Sequence, residues 1–309
     1  MFGRLMRFIK TKNLQLNRVD KTISQWDEDL NSPKLLMGKM HTVLNMQRTD
    51  IRQISDAEFQ VFSQFGDDGI IQHIINKIDF PNHTFIEFGV ENYRQSNTRF
   101  LLLNNDWAGF VIDGSDENIQ YIKKDMISWA CELHAATAFI TSENINSLLT
   151  IPGFDSEIGI LSIDIDGNDY WVWKAIDVIN PVMVIVEYNS VFGKNTKWTI
   201  PYDASFQRSN KLYFGASLGA FCDLAEAKGY SFVGSNSKGL NAYFLRNDKM
   251  GTFKKMSTQE GYVESKFREF IRDGIRLSGK DRIKELKGFD VYDLTQKAII
   301  KINSDEVEY

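Results

Sequence analysis

The sequence predicts an α/β fold with a doubly wound, seven-stranded and mostly parallel sheet that ends in an antiparallel hairpin. Apolar runs alternate with amphipathic stretches between residues 59 and 250, which is typical of parallel strands joined by helices. The first five runs are continuously apolar, as in strands covered on both faces. The last two, Tyr230–Gly234 and Leu240–Arg246, are separated by a short SNSKG turn, which predicts an antiparallel pair.

The five parallel strands and their helices follow from these runs and from the turn residues between them. We expect right-handed crossovers between the strands. The predicted strands are Thr84–Gly89, Gly109–Asp113, Ser128–Ala135, Ile158–Ile163 and Val182–Tyr188. The predicted helices follow Asp67 and Asp68, Ser115, the Thr141–Asn144 turn and Tyr170, with a further helix at Ala216–Lys228.

The chain divides into three predicted regions: an N-terminal helical extension (1–58), the α/β domain (59–250) and a C-terminal helical appendage (251–309). Phe2–Ile9 would form a short basic amphipathic helix that packs on its own domain or on a partner subunit of a homo-oligomer. Weak contact with an anionic membrane surface is the other interpretation. The appendage would contain helices at Gln259–Arg272 and Lys280–Leu286, with little chemistry of its own.

Composition excludes several classes of protein. The net charge of −5 over 309 residues argues against a nucleic-acid partner. No apolar run reaches the roughly 18–20 residues of a membrane span, and no signal peptide is expected. Cys131 and Cys222 lack the CxxC spacing of a zinc site and are too few for a disulfide framework. We therefore expect a cytoplasmic protein.

The first two strands end in residues suited to an adenosine ligand. Glu87 and Gly89 end FIEFG, and Asp113 ends the second strand, where a carboxylate can accept hydrogen bonds from a ribose diol. The GxGxxG phosphate cradle is absent, so S-adenosylmethionine is favoured over a pyrophosphate dinucleotide. Glu91 and Asn144, in the turns after the first and third strands, are further candidates for cofactor contacts.

The acidic turn in GILSIDIDGNDYWVW is the centre of the predicted site. Asp164 and Asp166 follow the fourth strand, and Glu187 and Asn189 end the fifth; neighbouring parallel strands would bring the four side chains together. They could hold a divalent cation such as Mg²⁺. Alternatively, one carboxylate holds the methionine amino group and another is the general base, or the acids only cap the turn. His134 is a further candidate base.

These motifs resemble the FkbM-type family of S-adenosylmethionine-dependent methyltransferases over about residues 60–247. The resemblance implies the class I methyltransferase fold, cofactor contacts at Glu87, Gly89, Asp113 and Asp164, and Asp166, Glu187 and Asn189 facing the acceptor or a metal. Related sequences often carry Asp where this chain has Asn92, and Glu where it has Gln95. The matching pieces are Ser63–Ile70, Phe85–Leu102, Gly109–Ser115, Leu161–Trp173, Val184–Asn189 and the segments within Tyr213–Arg246.

The predicted function is methylation of a hydroxyl on a glycan, a sugar-derived compound or another polar metabolite. Two alternatives use Asp164-x-Asp166 differently: a haloacid-dehalogenase-like phosphatase and a metal-dependent glycosyltransferase. The phosphatase motif normally opens its domain, whereas here it follows the fourth strand. In glycosyltransferases, the Asp-x-Asp motif is not preceded by strands that end in FIEFG and VID, as it is in this chain. A non-catalytic module that binds adenosine ligands or glycans is the third alternative.

Overall fold

The computed structural model describes residues 31–265, 271–272 and 274–309. The predicted Phe2–Ile9 helix lies outside these residues. The strands are β1 (Thr84–Phe88), β2 (Ala108–Asp113), β3 (Leu133–Thr137), β4 (Ile160–Ile163), β5 (Met183–Glu187), β6 (Trp198–Thr199), β7 (Tyr230–Ser235), β8 (Asn241–Arg246), β9 (Ile271–Arg272), β10 (Ile275–Arg276), β11 (Asp290–Asp293) and β12 (Ala298–Lys301).

The α-helices flank the central sheet and enter the terminal regions. They are α1 (31–47), α2 (Asp67–Ile75), α3 (Arg99–Asn105), α4 (Asp116–Lys124), α5 (Ile127–Ala130), α6 (Ile145–Leu149), α7 (Asp169–Ala175), α8 (Leu218–Ala227), α9 (Thr258–Gly261) and α10 (Gly279–Lys284). Short 3-10 helices lie at Ile54–Ala57, Ser190–Phe192, Asn247–Lys249 and Ser304–Glu306.

The central sheet has the order β3-β2-β1-β4-β5-β8-β7. β1 to β5 are parallel, and β8 is antiparallel to both β5 and β7. This arrangement confirms the predicted fold, including its antiparallel hairpin, and it is the class I methyltransferase sheet. The chain leaves β1 toward β2 and returns to β4 on the other side. Ligands of open α/β sheets bind at such a switch point, outside the carboxyl ends of the strands.

Both faces of the sheet are covered, which explains the continuously apolar strands. One face packs Ile86 and Leu161 against Trp173 of α7 and Phe221 of α8. The opposite face packs Phe85 and other alternate residues against α2 and α3. Side chains alternate between the faces of a strand, so both sets of positions in β1 and β4 are buried, and most of these residues are apolar.

The third strand starts later than predicted. Residues 127–130 form α5 rather than the first half of a strand, and β3 pairs with β2 from Gly109–Leu133 to Asp113–Thr137. The Cys131 N–H closes the last turn of α5 by donating to the Ile127 carbonyl. Because β3 lies at the sheet edge, its side chains are partly exposed, and the sequence carries no strong apolar signal there.

The prediction that the C-terminal appendage is helical is wrong in part. Besides α9 and α10, it contributes β11 and β12, which form a three-stranded antiparallel sheet with β6. Val291 of β11 and Ile283 of α10 share an apolar cluster with Phe192 and Trp198 from the β5–α8 connection. β11 alternates half-buried and buried residues, whereas most of β12 is exposed although three of its four residues are apolar. The three domain boundaries stay predictions.

The described part of the N-terminal region is helical. Gly38 of α1 packs close to Val61 and Phe100, whereas Leu36, Met37 and other apolar residues on α1 are more than half exposed. Homo-oligomer formation and membrane-surface contact by this region stay predictions. Among the residues that the structure describes, no helix combines the length and apolar character needed to cross a membrane.

Candidate active site

A cavity of about 510 Å³ opens at the carboxyl ends of β1, β2, β4 and β5. The loop between residues 206 and 214 and two tail residues, Ser265 and Arg282, complete its wall. Most of the predicted site residues line this cavity. They are Glu87, Gly89, Glu91, Asp113, Asp164, Asp166, Glu187 and Asn189.

Gly89 holds the turn after β1 against the acidic turn that follows β4. Its backbone has a φ of +68°, and its N–H donates to the Ile112 carbonyl at 2.9 Å. A Cβ at this position would lie 1.6 Å from the Asp164 carbonyl oxygen, a distance that no side chain can occupy. Only glycine therefore permits the ends of β1 and β4 to approach this closely.

Glu87 anchors the polypeptide that follows the turn after β1. Its carboxylate accepts hydrogen bonds from the backbone N–H groups of Asn97 and Thr98, at 2.9 and 3.1 Å, and from the Thr98 hydroxyl. Burial raises the pKa of Glu87 to about 7 in spite of these donors. Because three donors occupy this carboxylate, Glu87 positions the start of α3 as well as lining the cavity.

Asp113 fixes the turn after β2. Its Oδ1 accepts from the Ser115 N–H and from the Asn118 amide, and its Oδ2 accepts from the Glu91 N–H at 2.8 Å. Glu91 itself has a left-handed φ of 47°, which is unusual for a residue with a side chain. A carboxylate oxygen can accept two hydrogen bonds, so Oδ2 keeps one acceptor position for a ligand.

Asp169, which sequence reasoning missed, holds the acidic turn. One carboxylate oxygen accepts from the Ile165 N–H at 2.8 Å, and the other accepts from the Gly167 N–H at 2.9 Å. Burial raises its pKa to about 6. Its position in the first turn of α7, where acids are favoured, was the available signal. Asp166 adopts a left-handed φ of 56° within this turn.

The turn brings three carboxylates together. Asp164, Asp166 and Glu187 each place an oxygen within 4.8 Å of the others. Burial and the neighbouring acids raise the pKa values of Asp164 and Glu187 well above their usual range. Carboxyl groups whose pKa values are raised by burial and by neighbouring acids are frequent at functional sites. Carboxylate oxygens are also the ligands that Mg²⁺ prefers, so the cluster suits a hard divalent cation.

Arg208 is a second residue that sequence reasoning missed. Its guanidinium forms an ion pair with Asp166, donates to the Lys211 carbonyl at 2.7 Å and lies 3.9 Å from the centre of the Phe214 ring. Its positive charge lowers the pKa values of both Asp164 and Glu187, opposing the effect of burial. The long polar connection after β5 predicted a functional loop, but nothing local singled out this arginine.

Hydrogen bonds of the Asn189 side chain fix the connection that follows β5. Its amide nitrogen donates to the carbonyls of Leu212 and Phe214, at 2.9 and 3.0 Å, and its amide oxygen accepts from the Val191 N–H at 3.0 Å. These contacts account for the buried asparagine without a metal. We therefore assign it the task of holding the 206–214 loop over the cavity.

Two predicted site residues lie away from the cavity lining. His134 is paired with Phe110 in the body of β3, three residues before Thr137, and its ring packs edge-on against Phe154. The Asn144 amide binds the Thr141 N–H and the Phe139 carbonyl. The structure thus places neither the predicted base nor this predicted cofactor contact at the site. Strand register and local turn bonding decide both positions.

The C-terminal tail contributes to the wall of the cavity through Ser265 and Arg282. The Tyr188 hydroxyl donates to the Val263 carbonyl at 2.7 Å, and the Ser265 N–H donates to Ser190 Oγ at 2.9 Å. Arg282 of α10 then donates to Ser265 Oγ at 2.7 Å. These contacts join residues that follow β5 to the appendage, which therefore helps to build the site.

No protein-family model matches the chain, and no curated protein sequence matches it. Solved structures with the same general architecture include the N-terminal domain of EvdMO1 in the presence of SAH and D-fucose (9% identity, TM-score 0.38, covering 64% of this chain and 82% of that one). An S-adenosylmethionine-dependent methyltransferase from Clostridium acetobutylicum has 10% identity, a TM-score of 0.37 and coverages of 58% and 89%. An S-adenosylmethionine-dependent methyltransferase from Aquifex aeolicus has 10% identity and a TM-score of 0.35, and the match covers 54% of this chain and 85% of that one. The fold assignment depends on the strand order and directions described above.

The contact between Gly89 and Asp164 predicts a large effect of Gly89→Ala. We expect a loss of more than about 3 kcal/mol in the free energy of unfolding, because a backbone clash adds to the left-handed strain of about 1–2 kcal/mol. Gly153→Ala is the matched control, since Gly153 has a φ of +71° but nothing within 4 Å of an added Cβ. Urea denaturation measures both variants. Equal losses would show that the close approach is not what requires glycine at position 89.

Proposed function

We propose that the protein transfers a methyl group from S-adenosylmethionine to a hydroxyl of a glycan, a sugar-derived compound or another polar metabolite. The observation that carries the proposal is the single cavity that joins the Gly89 and Asp113 turns to the cluster of Asp164, Asp166 and Glu187. The acidic lining also complements the two positive charges of the cofactor, on its sulfonium and its amino group. A cytoplasmic location stays a prediction.

Each end of the cavity has its own task in this proposal. Asp113 accepts a ribose hydroxyl through the free position on Oδ2, and the backbone at Gly89 lies against the cofactor. Asp164 accepts a hydrogen bond from the methionine amino group. Asp164 and Glu187 accept no hydrogen bond from the described residues, unlike Glu87 and Asp113, so their oxygens are available to ligands.

Methyl transfer needs an aligned acceptor and a base. The acceptor oxygen attacks the methyl carbon as the bond from carbon to sulfur breaks, and S-adenosylhomocysteine leaves. The hydroxyl proton passes to Asp166 or Glu187. The raised pKa of Glu187 brings this carboxylate closer to neutral pH, where general-base catalysis is most effective. Alignment of the two substrates in one cavity contributes much of the rate.

A divalent cation is a second element of the proposal. Asp164, Asp166 and Glu187 would hold it through their carboxylate oxygens, and it would lower the pKa of an acceptor hydroxyl bound beside it. The oxygen-only set of side chains favours Mg²⁺ over softer metals. Arg208 supplies a fixed positive charge at the same cluster, so proton transfer to a carboxylate does not depend on the metal.

The alternatives based on Asp164-x-Asp166 receive less support. A haloacid-dehalogenase-like phosphatase needs its nucleophilic aspartate after the opening strand, whereas Asp164 follows β4 and its backbone contacts the Gly89 turn. A glycosyltransferase needs room and donors for a diphosphate, and the turns after β1 and β2 instead carry the carboxylates of Glu91 and Asp113. A module without activity would still bind the cofactor, so turnover distinguishes it from an enzyme.

Calorimetry with S-adenosylmethionine and S-adenosylhomocysteine tests the cofactor assignment. We expect binding of both, and at least about a tenfold weaker affinity in Asp113→Asn, because that variant loses an acceptor for the ribose (tenfold is about 1.4 kcal/mol). Asp116→Asn is the control, since Asp116 is the first residue of α4 and, among the described residues, accepts a side-chain hydrogen bond only from the Thr137 hydroxyl. Tight binding of a nucleotide sugar without cofactor binding would overturn the proposal.

Arg208 predicts a change in the pH dependence of methyl transfer. The base must be ionised, so kcat/KM rises with pH until the carboxyl cluster loses its proton. Removing the positive charge in Arg208→Gln raises the pKa values of Asp164 and Glu187 further, and the acidic limb moves to higher pH. If the pKa of the base rises by one, the rate at a given pH on that limb falls about tenfold. Arg208→Lys keeps the charge and should keep the limb closer to its original position. An unmoved limb in Arg208→Gln would exclude Glu187 as the base.

Metal removal tests the cation. We expect that exhaustive dialysis against EDTA lowers turnover at least about tenfold and that Mg²⁺ restores it, because the cation would stabilise an ionised acceptor oxygen. Glu187→Gln should raise the Mg²⁺ concentration needed for half-restoration. Turnover that is insensitive to EDTA would remove the metal from the proposal and leave the carboxylate base.

A further inference from the structure

Helix α1 is attached to the α/β domain along one face. A Cβ on Gly38 would lie 2.8 Å from the Phe100 ring, so the helix backbone lies directly against α3. Leu35 packs on the same apolar cluster as Phe100, and the Asn45 amide donates a buried hydrogen bond of 2.7 Å to the Ala57 carbonyl. Leu35, Gly38 and Asn45 are three and seven residues apart, a spacing that places them on one side of a helix. These contacts fix which side of α1 faces away from the domain.

The side of α1 that faces away from the domain is apolar and exposed. Its apolar side chains, each between 53% and 61% exposed, are Leu36, Met37, Met40, Val43 and Leu44. On a helix of about 3.6 residues per turn, these five side chains lie within about a third of the circumference. We call this surface the outer face of α1. A helix on a protein surface normally turns its apolar residues inward, and a contiguous apolar patch that stays exposed marks an interaction surface.

Basic residues border the outer face, and α1 carries no acidic residue. Lys39 lies beside its Val43 edge and Lys34 beside its Met37 edge, and both lysines are exposed. No Asp or Glu occurs between residues 31 and 49. Residues 1–19 contain five basic residues and no acidic one, although the whole chain has a net charge of −5. An apolar stripe between basic borders is the pattern of a helix that lies on an anionic membrane surface.

A second copy of the chain is a less suitable partner for the outer face. Packing two outer faces together would bring Lys34 and Lys39 of one copy toward the same residues of the other, and α1 offers no carboxylate to pair with them. Like charges placed together across an interface oppose association. Lipid phosphates, in contrast, supply an anion for each lysine while the acyl chains take up the apolar side chains. Charge therefore favours a lipid surface as the partner.

We propose that the outer face of α1 docks the protein on an anionic phospholipid surface. The five apolar side chains enter the boundary between headgroups and acyl chains, and Lys34 and Lys39 reach the phosphates through their flexible stems. The helix lies along the surface, since Gly38 and Asn45 hold its inner face to the domain. The inference does not depend on the proposed methyl transfer, and it concerns a helix other than the one predicted at Phe2–Ile9.

The test is flotation of the full chain with vesicles, either of phosphatidylcholine alone or of equal parts of phosphatidylcholine and phosphatidylglycerol. We expect binding to the anionic vesicles, at least about tenfold weaker binding to the neutral ones, and weaker binding as salt screens the lysines. Leu36→Gln, Met40→Gln and Leu44→Gln combined should lower the partition coefficient more than about tenfold, because each removes an apolar side chain from the contact. Lys34→Gln or Lys39→Gln alone should lower it about fivefold.

The control variant combines Met126→Gln, Ile151→Gln and Ile299→Gln, since these side chains are 57% to 63% exposed and lie outside α1. It removes as many exposed apolar side chains as the α1 variant and should bind anionic vesicles as the unaltered chain does. Thermal unfolding checks that both triple variants are folded. Light scattering without lipid measures the oligomeric state of the unaltered chain and of each variant.

Four results would overturn the inference. The first is a failure of the unaltered chain to bind anionic vesicles. The second is unchanged binding by the α1 variant, which would assign the contact to another segment, such as residues 1–30. The third is an equal loss of binding in the control variant, which would show that the effect is not specific to α1. The fourth is an oligomer without lipid that only the α1 variant disrupts, which would assign the outer face to a second copy of the chain.

Discussion

The close contact between the Gly89 backbone and the Asp164 carbonyl is the constraint on which the site depends. It occurs where the chain switches direction between β1 and β4. The turn after β1 and the acidic turn therefore line the same cavity. A side chain at position 89 would separate the two turns and divide the cavity. The contact therefore couples the proposed cofactor end to the carboxylates that would act on the acceptor.

The cavity gathers more acidic groups than a structural role explains. Glu87 and Asp169 are satisfied by backbone N–H donors and hold the loops around them. Asp164 and Glu187 have no such donors among the described residues, and burial beside other acids raises their pKa values. Charge that is buried without local compensation requires a proton, a cation or a cationic ligand. Arg208 supplies part of that compensation, and the proposed ligands would supply the remainder.

The connection after β5 and the C-terminal tail complete the wall of the candidate site. β6, β11 and β12 pair in one small sheet, and their apolar cluster holds α10 against the cavity. Contacts of Tyr188 and Ser190 with Val263 and Ser265 then join the tail to the end of β5. An appendage expected to be peripheral thus supplies one wall of the candidate site.

The sequence by itself determined the central sheet and the acidic half of the site. Strand periodicity is local, and the carboxyl ends of parallel strands meet at one edge, so the sequence alone could place Asp164, Asp166, Glu187 and Asn189 together. Only the tertiary structure decided the register of β3, which keeps His134 away, and the positions of Asp169, Arg208 and the tail residues Ser265 and Arg282 at the site. Those residues come from a single turn, a long loop and the tail, and their positions depend on contacts between distant parts of the chain that no local pattern encodes.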